Sequence, residues 1–175
     1  MRTLSASLIL RAFGLTLMTA VLAGCGGSAP KTVANASDEE NIIFTSALDC
    51  EASGRFTAAH CTKALEAAMN AHLKKSPTYK SLSQCETTEG PEKCERMDAK
   101  NYRPRLVAVA VTPAAVKKAE AAGGFPDAIP LYPTQSGEKG FRTLEKKIML
   151  IDGDKTEFSP QAVAAAELGA SIKKR

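Results

Sequence analysis

An α+β fold is predicted by three observations. Four cysteines sit in two short helical brackets around an alanine-rich amphipathic helix, a buried-type strand follows them, and a turn-punctuated apolar run leads into a final helix with its own start signal. The expected architecture is a small disulfide-stapled helical cassette followed by a short strand, a hairpin and helices, behind a signal peptide and a flexible tether. By residue, 1–24 is the leader, 25–40 the tether and 41–175 one periplasmic domain. Within it, 41–101 is the four-cysteine cassette and 102–175 the strand, helix and hairpin part.

The two brackets read alike. Ser46-Ala47-Leu48-Asp49-Cys50-Glu51 runs to Gly54, and Ser81-Leu82-Ser83-Gln84-Cys85-Glu86 runs to Gly90. A serine followed three residues later by an acid or amide is a capping-box start, and the glycine is a helix stop. A return cysteine follows each glycine, at Cys61 and Cys94. Four cysteines allow three pairings. The glycine turns favour the local pairs Cys50–Cys61 and Cys85–Cys94 over a helical hairpin with crossed bridges. Between the brackets, Thr57 to Lys75 is rich in alanine, ends on a basic pair that suits the helix dipole, and is stopped by Pro77. Helical spacing places Cys61, Leu65, Ala68, Met69, His72 and Leu73 on one face.

The leader carries Arg2 and Arg11 ahead of a short apolar run from Ala12 to Ala23, too short and wrongly flanked to span a membrane. It ends in Leu22-Ala23-Gly24-Cys25, which resembles the bacterial lipobox at all four positions. The lipobox implies cleavage before Cys25 and its acylation, and several acyl chains on one residue anchor a protein stably. Gly26 and Gly27 follow, without the aspartate that retains lipoproteins in the inner membrane. The expected location is therefore the outer membrane, facing the periplasm. Five cysteines less Cys25 leave an even four, as an oxidising compartment favours. The formal charge of +4 includes Arg2 and Arg11, so the mature chain is nearly neutral and no nucleic-acid partner is expected. The expected partners are the membrane, through the lipid on Cys25, and an envelope protein.

Residues 26–40 are small and polar without a period, as a tether is. Asp38-Glu39-Glu40 reads as a solvated helix start, with Asn41 to Leu48 leading into the first bracket. Glu95 to Arg105 reads as a polar segment. Leu106 to Val111 alternates small and β-branched residues, which predicts a strand. A free edge there would accept another strand, and Val109→Lys would then abolish partner capture. Thr112-Pro113 opens a helix that Gly123-Gly124 ends. Phe125 to Gly140, with Pro126, Pro130 and Pro133, reads as an irregular loop. Lys147 to Ile151 predicts a strand, Asp152-Gly153 a hairpin turn returning through Lys155 to Phe158, and Ser159-Pro160 a last helix.

The cysteine spacing, with Ser76-Pro77-x-Tyr79, Tyr102-x-Pro104 and Ile129-Pro130-Leu131-Tyr132, resembles the YgiB-like lipoprotein family, a domain of unknown function numbered 1190. The resemblance covers roughly 47–133. It implies no established activity. Family members are often encoded beside ATP-grasp proteins resembling glutathionylspermidine synthase, which implies an accessory role beside such an enzyme as one alternative. Two departures stand out: the readable hairpin and helix replace a low-complexity tail, and the segment after Cys94 is poorer in glycine and methionine.

Catalytic constellations, phosphate loops and cofactor motifs are absent from the sequence, so no catalytic residue and no cofactor are expected. His60 beside Cys61 invites a thiol-redox or metal-handling alternative, but no Cys-x-x-Cys or His-x-x-x-His accompanies it, and His60 and His72 read as structural. Asp152-Gly153-Asp154 lacks the remainder of a calcium loop, so no metal ligands are expected. The absence of tryptophan and the low aromatic content argue against a carbohydrate-stacking site. The expectation is a non-enzymatic binding or scaffolding module.

Overall fold

The computed structural model describes residues 37–135 and 137–171. Cys25, the leader and most of the tether lie outside the described residues. The elements run β1 (Asn41–Phe44), α1 (Ala47–Ala52), α2 (Ala58–Lys75), α3 (Leu82–Glu89), β2 (Cys94–Arg96), β3 (Tyr102–Pro104), β4 (Ala108–Val111), α4 (Pro113–Ala122), β5 (Ile129–Pro133), β6 (Gly140–Arg142), β7 (Ile148–Leu150), β8 (Thr156–Phe158) and α5 (Pro160–Ser171). The α+β expectation holds.

One sheet has the order β7-β6-β5-β4-β1-β8, antiparallel throughout except for β1 with β8. Alternation along β1 and β4 sorts side chains to its two faces. Phe44, Val109 and Val111 pack with Cys61, Ala64 and Ala68 of α2 on one face. Ile43, Ala108, Ala110, Leu131, Phe141 and Met149 gather around Ala162 and Ala166 of α5 on the other. The short alanines let both helices lie close to the strands.

The sheet curls around α5. Phe141 of β6 stacks on Phe158 of β8 at 5.7 Å between centroids, although four strand spacings separate them in the order. Laid flat, β7 and β8 would stand about 24 Å apart at ~4.8 Å per spacing. Instead only residues 151–155 link them, and Thr156 Oγ1 donates to the Leu150 carbonyl at 3.2 Å.

The cassette follows the sequence prediction closely. Ser46, Thr57 and Ser81 each accept from the backbone N–H three residues on, starting α1, α2 and α3. The bridges are the local ones, Cys50–Cys61 and Cys85–Cys94, with Cα separations of 5.7 and 6.2 Å. At about ten residues per loop, each contributes roughly 2.5–3 kcal/mol by the chain-entropy estimate. The caps of α4 also stand where expected, with Thr112 accepting from Ala115 N–H and Gly123 in the left-handed region at φ +65°.

Several expectations are corrected. Residues 41–44 form a strand rather than a helix lead-in, since β4 and β8 pair with both edges of Asn41–Phe44. The inward face of α2 is Cys61, Ala64, Ala68 and His72, whereas Met69 and Leu73 are half exposed; the helix is rotated because its alanines, not its larger residues, face the strands. The polar segment after Cys94 is the hairpin β2–β3, joined by the cross-strand ion pair Glu95–Arg103 and turned by Asp98, which accepts from the N–H groups of Lys100 and Asn101. Strand β4 is central, with β1 and β5 on its two sides, so it has no free edge to capture a partner. Asp152-Gly153 is a turn, with Gly153 N–H donating to Leu150, but it does not close a hairpin: β7 pairs with β6 and β8 with β1.

The segment read as a proline-broken loop contains β5 and β6. Leu131 turns its carbonyl to β4, accepting from Val107 N–H at 3.0 Å, so Pro130 turns its nitrogen to the opposite edge. There β5 pairs with β6 only from Tyr132 onward. Pro133 faces the β4 side, beyond the last β4 pair at Leu131. Each proline thus lies where the ladder asks for no N–H.

Candidate functional site

Buried polar side chains run from the cassette into the sheet, and a cleft opens beside them. His72, on the inward face of α2, is fully buried. Its Nε2 lies 3.1 Å from Glu95 Oε1 and its Nδ1 lies 3.0 Å from the Tyr132 hydroxyl. A carboxylate only accepts, so Nε2 carries the proton and Nδ1 accepts from Tyr132. Burial holds the imidazole below its ordinary value, against the opposing pull of Glu95, which keeps it neutral at pH 7. Arg103 Nε donates to the same Glu95 oxygen at 2.7 Å.

Beyond Tyr132, the Arg142 guanidinium stands 5.4 Å over its ring and donates through Nη2 to Glu89. The other Glu89 oxygen accepts from the Tyr79 hydroxyl at 2.5 Å. Burial first, and then the Glu89 carboxylate, push the Tyr79 phenol up to about 12; burial does the same to Tyr132. Lys93 lies with them, only 2% exposed, its Nζ donating to the Thr134 carbonyl. Burial and the nearby Arg142 hold its ammonium below the ordinary lysine range. Gly90 makes room for it: its φ is +110°, and a Cβ there would stand 3.0 Å from Lys93 Cδ. Glu89 thus pairs with Arg142, while Lys93, beside the same guanidinium, is held by the Thr134 carbonyl.

A second clasp ties the first bracket to the C-terminal helix. Asp49 Oδ2 accepts from Thr45 N–H at 2.9 Å and from the Ser159 hydroxyl at 2.5 Å. Ser159 in turn caps α5 by accepting from Ala162 N–H.

The elements that carry the buried line also wall a cleft of about 380 Å³, within the range of small-ligand sites. On α2, His72 points inward and Lys75 stands at the cleft; on β5 the pair is Tyr132 and Pro130; on β6 and the residue after it, Arg142 and Thr143. Strands β5 and β6 part at Tyr132, and the space between residues 128–130 and 143–145 opens there. Ala71, Ala128, Ile129 and Met149 supply apolar lining, and Lys75, Lys147, Asp127 and Glu145 supply charge of both signs. The Glu145 carboxyl is held below its usual range by its own backbone N–H, by the Thr143 hydroxyl and by the Lys75 ammonium. A buried network behind the walls fixes their geometry, as a preorganised binding site requires.

The residues singled out in the sequence do not converge on one centre. Cys50, Cys61, Cys85 and Cys94 are in bridges, and Cys25 lies outside the described residues. Cys61 is fully buried, while its neighbour His60 is held 2.6 Å from Glu120 Oε1. Among the described residues no group of three potential metal ligands comes together. Glu89, Lys93 and Arg142 carry no sequence signal, because isolated charges beside turns read as solvated. The tyrosines were visible only as landmarks of the resemblance, at Tyr79 and Tyr132.

No curated protein and no solved structure matches the chain. The sequence model of a family described only as a protein of unknown function, DUF1190, matches residues 38–143, more than half of the chain and all of the buried polar line. The chain belongs to that uncharacterised family.

Proposed function

We propose that the protein is a lipid-anchored binding module of the cell envelope, held in the outer membrane by acylated Cys25 and presenting its cleft to the periplasm without catalysing a reaction. One observation carries this reading. The four cysteines of the domain are consumed in two bridges, and the one left over is the cysteine of Leu22-Ala23-Gly24-Cys25. Disulfides of this kind persist in oxidising compartments, and an odd cysteine at a lipobox is the acceptor of the anchor. Among the described residues no helix is long and apolar enough to cross a membrane.

The test is the intact mass of the protein isolated from its native membrane, with and without reduction and alkylation. An N-terminus at Cys25 carrying acyl mass, with four alkylation sites that appear only after reduction, is the expected result. An uncleaved leader, or thiols that alkylate before reduction, would overturn it. Free thiols would also bring back the thiol-redox or metal-handling alternative at Cys61 and His60.

A further inference from the structure

We infer that the cleft binds a short zwitterionic peptide in extended form, laid along the open edge of β5, with its carboxylate and amino ends met by the lysines and acids of the rim. The inference rests on the cleft being the binding surface of the proposed module and names what it takes.

Three features point to that ligand. The first is the parting of β5 from β6. Ahead of Tyr132, β5 has β4 on one side and no strand on the other. Pro130 turns to that open edge, where it offers a carbonyl and no N–H. An extended peptide entering there can donate one N–H to that carbonyl, a single main-chain anchor of the kind a strand edge offers a peptide.

The second is charge. Lys75 and Lys147 stand with Asp127 and Glu145 around one small cleft. A ligand of single charge would meet repulsion from half of these groups, whereas one with a cationic end and an anionic end can be matched at both. The third is size and lining. About 380 Å³ with apolar contacts from Ala71, Ala128, Ile129 and Met149 accommodates a few small or apolar residues, not a folded partner.

Glu145, Lys147 and Met149 lie beyond the family match, which ends at residue 143. The wall that completes the rim therefore belongs to the C-terminal part of this chain. Its discrimination among peptides should be set there, on a support built by the matched segment.

The experiment is calorimetric titration of the full-length, detergent-solubilised protein with the tripeptide Ala-Leu-Ala, and with the same peptide acetylated and amidated at its ends. The free-ended peptide should bind, and blocking its ends should weaken binding at least tenfold. Lys147→Ala and Asp127→Ala should each weaken the free peptide at least tenfold while leaving the thermal melt unchanged. Lys117→Ala, outside the cleft lining, should bind as the parent does. No binding of the free peptide at millimolar concentration would overturn the inference, and so would equal binding of the blocked peptide. Acylation of Cys25 is read by mass on the same preparation, so a failed titration on acylated protein refutes the cleft assignment while leaving the anchored module standing.

Discussion

Glu89→Gln isolates the charge at the centre of the buried line. Glutamine keeps the shape of glutamate and can still hydrogen-bond to Tyr79 and Arg142, because its amide offers both an acceptor and donors. It removes only the negative charge. Glu89 and Arg142 are 2% and 3% exposed, so the guanidinium is left without its buried counter-charge. Removing one partner of a buried ion pair costs about 3–5 kcal/mol. Against a total stability of roughly 5–15 kcal/mol, that is a large share. At a urea sensitivity of about 2 kcal/mol per molar, the unfolding midpoint should fall by about 1.5–2.5 M, followed by far-ultraviolet circular dichroism with the disulfides intact.

Lys93 adds a pH dependence of its own. Burial and Arg142 already hold its ammonium below the ordinary value of 10.5, so the unfolded chain binds its proton more tightly than the folded chain does. Stability associated with Lys93 therefore rises as pH climbs toward 10.5, in the parent and in Glu89→Gln alike. Replacing both partners, Glu89→Gln with Arg142→Met, should cost less than the sum of the single changes by at least 1 kcal/mol, because no unpaired guanidinium remains. A Glu89→Gln protein within 0.5 kcal/mol of the parent, or strict additivity in the double variant, would refute the reasoning.

Two further outcomes are expected. Tyr79 and Tyr132 are pushed from 10.0 up to about 12, so stability is full below pH 10 and is lost as pH rises through about 12 while the unfolded chain ionises first. At about 1.4 kcal/mol per pH unit per proton, fully buried Tyr132 alone withdraws roughly 2–3 kcal/mol across that window. Absorbance titration at the phenolate band should show two tyrosines ionising only with alkaline unfolding, and ionisation of all of them near pH 10 in the folded state would contradict this. Replacing both Cys85 and Cys94 by serine should lower stability by about 2.5–3 kcal/mol without altering the fold, as read by urea unfolding and circular dichroism; an unchanged midpoint would show that the bridge contributes nothing.

By itself the amino-acid sequence determined what is local. Serine and threonine caps, glycine and proline stops, the alanine-rich α2 and the bridges across glycine turns involve groups a few residues apart, and a chain can satisfy them before it has a tertiary fold. The lipobox-like tetrapeptide and the even cysteine count are local in the same sense. The tertiary structure alone decided the strand partners. Leu106 to Val111 read as a strand from its composition, but whether its edges were free depended on β1 and β5, and both are paired. Pro130 and Pro133 broke the pattern of β5 because a sequence does not show which edge of a strand goes unpaired. The apparent hairpin at Asp152-Gly153 failed for a related reason: the curl of the sheet brings β8 to β1, where Ile42 and Ile43 lie beside Glu157 and Phe158. The buried line was least legible of all. Glu89 and Arg142 are 53 residues apart and looked like ordinary surface charges until packing removed the water around them; His72 read as structural, but its partner Tyr132, 60 residues on, was set only by the fold.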